Sequence, residues 1–229
     1  MLLKEFLREL NGKRIEGELI KTFFYSLLSA VATLAILYFT ILRNVEDLIP
    51  KYGFYLFFAV ISYAIVIPLF RHVRAYKELM CMPGMMVGMG TGMVASFLIG
   101  FYVASTNGMF IGSLLGMAVG IGFGFVNGKC CGIMGVLEGI MAGFMGGLMG
   151  AMTAFMLFND HLQAAAVIVF AICGVIVLGL HYMVYKEMKL TGSERNVVEN
   201  QILNIVLTSI LVAITTWIMV FGPRSALFS

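Results

Sequence analysis

Seven apolar stretches separated by short polar segments organise the chain. They run Ile20–Leu42, Tyr52–Phe70, Met82–Val103, Gly108–Val126, Ile133–Phe158, Gln163–Tyr185 and Asn204–Phe221. Each is close to or above the roughly 20 residues a helix needs to cross a bilayer. The pattern therefore predicts an all-α, polytopic membrane bundle of seven transmembrane helices. Glycine lowers the hydropathy of the third, fourth and fifth stretches. Six spans, with two central segments merged or one re-entrant, is the competing count. Ahead of the first stretch, Leu3, Phe6, Leu7 and Leu10 share one helical face, opposite Lys4, Glu5, Arg8 and Glu9. Residues 1–19 thus read as an amphipathic helix on the inner leaflet, ended near Asn11-Gly12. Its alternative is a helix docked on the protein's own loops. Ala30-Val31-Ala32 has the small-x-small form of a signal-peptide cleavage site. The apolar run continues to Leu42, however, so the first stretch reads as an uncleaved anchor.

Composition agrees with a lipid environment. Of 229 residues, 61% are apolar and 12% charged, against about 25% charged in soluble domains. Mean hydropathy is +0.98. A soluble enzyme is excluded, and a net charge of +3 leaves no basic surface for nucleic acid. Four cysteines make no disulfide scaffold in a chain this long. The basic residues are placed unevenly. With seven spans, Lys4, Arg8, Lys13, Arg14, Lys21, Arg71, Arg74, Lys77, Lys129, Lys186, Lys189 and Arg195 share one side, and Arg43, Lys51 and Arg224 take the other. The positive-inside rule then expects a plasma-membrane protein with a cytoplasmic N-terminus and an extracellular C-terminus. Tyr52, Tyr55, Tyr182, Tyr185 and Trp217 fit interfacial aromatic belts.

Glycine and methionine divide the chain. Residues 80–158 hold 19 of the 26 glycines and 14 of the 18 methionines. The expected layout is the amphipathic segment 1–19, two conventional spans in 20–79, a three-helix core in 80–158 and two conventional spans in 159–229. The core spans share a step of four. It is kept by Gly84, Gly88, Gly92, Ser96, Gly100 and Ala104, then by Gly108, Gly112, Gly116, Gly120, Gly124 and Gly128. Gly135, Gly139, Gly143, Gly147 and Ala151 carry it in the fifth span. In lipid, helices associate where small residues let backbones approach. Glycine costs a helix about 1 kcal/mol against alanine, and close packing is the compensating gain. Gly88, Gly92, Gly112, Gly116, Gly120, Gly139, Gly143 and Gly147 are the expected packing positions. They face either one another or a second copy in a homo-oligomer.

The chemistry-bearing residues lie beside these ladders. Met85, Met89 and Met93 each follow a ladder glycine by one residue, and Met141, Met145 and Met149 follow one by two. Methionine is a pliable filler, and its thioether is also a soft ligand that selects Cu(I). With seven spans, Cys81, Met85, Cys130, Cys131 and Met134 gather at one membrane face. Cysteines there stay reduced in a cytoplasmic setting, able to bind a soft metal or to act as small interfacial or palmitoylated residues. Glu138 is the one carboxylate placed inside a span. It is a candidate counter-charge, proton carrier or partner of Lys129, or a carboxyl bonded to a neighbouring helix. Asp160 and His161 read as a solvated turn, His181 as an interfacial or helix-bonding histidine, and Cys173 as a packing residue.

Met85/Met89 followed by Gly108/Gly112 resembles the Met-x-x-x-Met and GxxxG pair of the copper transporter (Ctr) family. That family has three spans and an external methionine-rich N-terminus, which this chain lacks. The central block through Gly128-Lys-Cys-Cys-Gly-Ile-Met-Gly also resembles bacterial Met/Gly-rich multi-pass membrane proteins of no assigned activity. The Ctr resemblance implies passage of Cu(I) along methionines. The chain's own residues leave three functions open. One is soft-metal handling by transport or sensing, with Cys81, Met85, Met89, Cys130, Cys131, Met134, Met141 and Met145 as ligands, Met93 and Met149 extending the relay, and Glu138 balancing charge. A second is an ion channel or proton-coupled small-solute transporter using Glu138. The third is an assembly subunit. No nucleophile–base pair, phosphate-binding loop or organic-cofactor motif appears, so an enzyme is not expected.

Overall fold

The computed structural model describes residues 15–40, 52–74, 81–129, 132–191 and 201–223. Among them the chain is helical and has no strand. Its seven helices are α1 (Ile15–Thr40), α2 (Phe54–Arg74), α3 (Cys81–Asn107), α4 (Met109–Gly128), α5 (Gly132–Met156), α6 (Leu162–Thr191) and α7 (Gln201–Phe221). Every one is long and apolar enough to cross a membrane. The protein is an all-α integral membrane bundle, and its central segments are three separate helices with no two merged. Residues 1–14 of the expected amphipathic segment lie outside the described residues.

The three glycine-rich helices form the most intimate packing in the molecule. α3 and α4 run antiparallel in a register that never slips. Gly88 meets Gly128, Gly92 meets Gly124, Ser96 meets Gly120, Gly100 meets Gly116, and Ala104 meets Gly112. α5 then runs antiparallel to α4, pairing Gly135 with Gly128, Gly139 with Gly124, and Gly143 with Gly120. A step of four on each helix is the ridge spacing that interdigitates most often between packed helices. The ladders are used up within the chain. A Cβ built on Gly92 would stand 3.1 Å from the Gly139 carbonyl oxygen and 3.2 Å from Gly124 Cα, so this glycine touches both partners. The turn between α3 and α4 is Gly108 alone. Its φ of 104° lies in the left-handed region that glycine adopts without penalty, which makes so short a reversal possible.

The other helices pack around α3, the most buried span. Phe58 of α2 stacks on Tyr102 of α3, with ring centroids 5.9 Å apart, and meets Phe170 of α6 at 5.3 Å. The Tyr102 hydroxyl donates to the Ala166 carbonyl at 3.0 Å, satisfying a polar group that lipid could not. Asn107 Nδ2 donates to the Ile218 carbonyl at 2.8 Å, tying the end of α3 to the end of α7. α1, the least buried span, packs Ala30, Leu34 and Leu37 on the core and is tied to α7 by hydroxyls. Thr33 Oγ1 lies 3.2 Å from Ser209 Oγ, and Ser26 Oγ lies 3.5 Å from Thr208 Oγ1. Two of the expected belt tyrosines, Tyr52 and Tyr185, are buried at 3% and 4% exposure; neighbouring helices cover their rings. Trp217 is exposed at 55%.

Candidate functional site

The ladders decide where the long side chains of α3 and α5 go. With glycine on the shared faces, bulk is left on the outside. On α3, Met82, Met86, Met89 and Met93 are all exposed. Their steps of four, three and four place them along one edge of the helix. On α5, Met134, Met141, Met145, Met149, Met152 and Met156 are likewise exposed. Met85 is half-buried.

These two rows border a shared contact. α3 and α5 run parallel. A Cβ on Gly146 would lie 2.6 Å from the Met93 carbonyl oxygen, and one on Gly150 would lie 2.3 Å from that of Phe97. Met93 is thus a contact residue through its backbone and an exposed residue through its side chain. Met145 and Met149 precede the two contact glycines by one position. On the far side of α3, Gly90 abuts Leu180 of α6. α5 and α6 are joined by a short turn yet make no extensive contact with each other, because α3 lies between them. The outward-facing strip of α3 left uncovered there, a methionine groove, exposes Met86, Met89 and Met93, and Met145 and Met149 are exposed on the neighbouring α5. Glu138 of α5 is exposed as well and lies toward the groove's end near the start of α5.

The expected sulfur cluster is described only in part. Cys130 and Cys131, and the side chain of Cys81, lie outside the described residues. The chain around them is informative even so. Gly88 against Gly128 and Gly128 against Gly135 bring the start of α3, the end of α4 and the start of α5 to one end of the bundle. Lys129 at that end lies 4.5 Å from the Phe125 ring centroid. Among the described residues no three His, Cys, Asp or Glu side chains come together. A site in the groove would therefore rest on thioethers. Asp160 and His161 form an exposed turn, 4.0 Å apart, and Cys173 is a buried free thiol.

A second set of polar residues, not legible in the hydropathy pattern, is buried near the same end. Arg71 of α2 is 7% exposed and donates to Thr22 Oγ1 of α1. Asn127 Nδ2 of α4 donates to Thr91 Oγ1 of α3 at 2.9 Å. His72 of α2 and His181 of α6 are buried at 1% and 7% exposure, with Nδ1 atoms 3.1 Å apart. His181 was readable as a helix-bonding residue. His72 was hidden, since it sits between Arg71 and Arg74, where charge reads as the end of a span.

No protein-family model, curated protein or solved structure matches the chain. The functional reading therefore rests on the geometry alone.

Proposed function

We propose that this integral membrane protein handles a soft metal ion, Cu(I) first among them, on the methionine groove between α5 and α6. One observation carries the reading. The thioethers of α3 and of α5 are exposed on helices that share one backbone contact, so candidate ligands from two helices lie on neighbouring strips of the outer surface. Thioether sulfur is neutral, polarisable and poorly matched to hard cations, and it favours Cu(I) among biological metals. Neutral ligands leave the ion's charge uncompensated in a low-dielectric setting. Glu138, at the end of the groove, supplies the balancing charge. Cys81 at the start of α3, with Cys130 and Cys131 of the segment between α4 and α5, would deliver or receive the ion. The composition of the outer surface supports the same reading. The exposed faces of α6 and α7 carry Val167, Ile168, Ile172, Val175, Ile202, Val206 and Ile210, ordinary lipid-facing side chains. That of α3 carries methionine instead, and that of α5 carries six methionines beside Ile133, Leu137, Phe144 and Phe155.

The test is a Cu(I) titration of the purified full chain against a competing chelator under reducing conditions. Wild type is expected to bind Cu(I). Met86→Leu/Met89→Leu/Met93→Leu is expected to weaken binding at least tenfold with unfolding unchanged, because Leu and Met are of similar volume and interchange cheaply. The reading fails if wild type binds no Cu(I), or if the triple variant binds as well as wild type.

A further inference from the structure

We infer that His72 and His181 form a proton-binding pair that takes up one proton, and only one, inside the membrane-embedded bundle. This stands apart from the methionine groove and does not depend on metal binding. The two rings face each other through like atoms, Nδ1 to Nδ1 at 3.1 Å, with their planes tilted by 35°. A neutral imidazole has one N–H and one bare nitrogen. Two facing Nδ1 atoms can share a hydrogen bond only if one carries hydrogen and the other does not. The two histidines must therefore be unlike tautomers: one Nδ1–H with a bare Nε2, the other Nε2–H with a bare Nδ1.

That asymmetry fixes how the pair takes up a proton. One proton from solvent adds to the bare Nε2 of the donor ring. No bond is broken, and the new imidazolium keeps its Nδ1–H directed at its partner. The bond becomes charge-assisted and is strengthened. A second proton has only the accepting Nδ1 to go to. It would set N–H against N–H and cation against cation at contact distance, so the pair opens before it accepts a second proton.

Val73, Val87 and Val184 form an apolar cluster at this level. On α2, Arg71 is directed to Thr22 of α1. On α6, Tyr182, Tyr185, Lys186 and Glu187 follow within two turns, Lys186 exposed and Glu187 half-buried. On α1, Lys21 is exposed. α3 has no charged residue between Met82 and Asn107, and α7 presents the neutral Asn204. Ionisable groups held inside a membrane bundle mark proton relays and ion pathways by default. Here the proton would sit between α2 and α6, so its arrival changes how strongly those helices are joined.

The chain has three histidines, and His161 is exposed, so nitrogen NMR of the full chain in lipid nanodiscs with labelled histidine resolves the question. His161→Gln assigns the one exposed ring. Wild type is expected to show unlike tautomers for the other two, with a nitrogen–nitrogen coupling through the hydrogen bond. On acidification the pair should gain a single proton in one coupled step. His72→Gln and His181→Gln should each abolish the coupling. Like tautomers, two protons taken up by an intact pair, two rings titrating independently, or no uptake while the fold persists would each overturn the inference. The assignment uses a variant at an exposed position only, so it does not rest on either buried variant folding.

Discussion

At the scale of single residues, the structure divides the glycines into two kinds that sequence alone does not separate. A Cβ on Gly124 would lie 2.2 Å from the Gly139 carbonyl oxygen, and one on Gly139 would lie 2.3 Å from that of Gly124. Neither neighbour can yield, since both are helix backbone. Gly124→Ala and Gly139→Ala should therefore each destabilise the fold by about 1–3 kcal/mol, the range for overpacking a close-packed interior. Gly122, two positions from Gly124, has nothing within 4 Å of its added Cβ, and neither has Gly179. Alanine there removes conformational freedom from the unfolded chain without a clash and should stabilise by about 0.5–1 kcal/mol. Unfolding the four variants in one detergent is the check. The opposite signs distinguish a close-packed ladder from a general requirement for glycine. The histidine pair belongs to this scale too. Each ring is meaningful only because the other faces it, and the two stand 109 positions apart in the chain. A hydropathy profile reads His72 as part of a charged span end and has no means of seeing its partner.

At the scale of helices, the ladders were legible because they obey a short-range rule. A step of four places Gly88, Gly92, Gly100 and their counterparts on one face of their own helix whatever lies outside it. The register between helices follows once two such faces meet through the single-residue turn at Gly108. The fates of the methionines were legible by exclusion, since bulk barred from the ladder faces has only the outer surface left. What the sequence could not supply is which outer edges share a groove, because that depends on α3 lying between α5 and α6. Span ends were also misjudged for a physical reason. α3 continues past Val103 to Asn107 because Asn107 finds an acceptor in Ile218 of α7. α2 runs on through Arg71 and His72 because α1 and α6 supply partners. Asn107→Leu tests this kind of tie. The Ile218 carbonyl keeps its bond from the Gly222 N–H at 2.8 Å, so no buried acceptor is orphaned. Asn107 Oδ1 also accepts from Thr106 Oγ1 at 2.7 Å, so the loss should be about 1–3 kcal/mol, that of two hydrogen bonds, measured by unfolding the full chain against wild type. A much larger loss would mean that Asn107 supports more than the junction of α3 with α7.

At the scale of the molecule, direction across the membrane decides what the groove can meet. The starts of α3 and α5 and the ends of α2, α4 and α6 share one end of the bundle, as Gly88 with Gly128, Gly128 with Gly135 and His72 with His181 show. That end carries Arg71 and Lys129, and the chain segments that adjoin it hold most of the remaining basic residues. Basic residues near span ends resist translocation, so the rule that orients multi-pass proteins predicts a cytoplasmic position for this end. Cys81 would then begin its helix in a reducing compartment, where a thiol stays available to a soft ion. Glu138 and Met86 would lie nearer that compartment than Met93 and Met149, so an ion following the groove from the cysteines would leave its counter-charge behind as it moved outward. Reporter fusions active on only one side of the membrane, placed before Ile15 and after Pro223, measure the orientation directly. The expected result is a cytoplasmic signal from the first and an external signal from the second. The reverse pair would put the cysteines in an oxidising space and remove the reason to assign them to Cu(I) entry. Signals from the same side for both would mean that one of the seven helices does not cross, and the glycine core could not then span the bilayer in the register described.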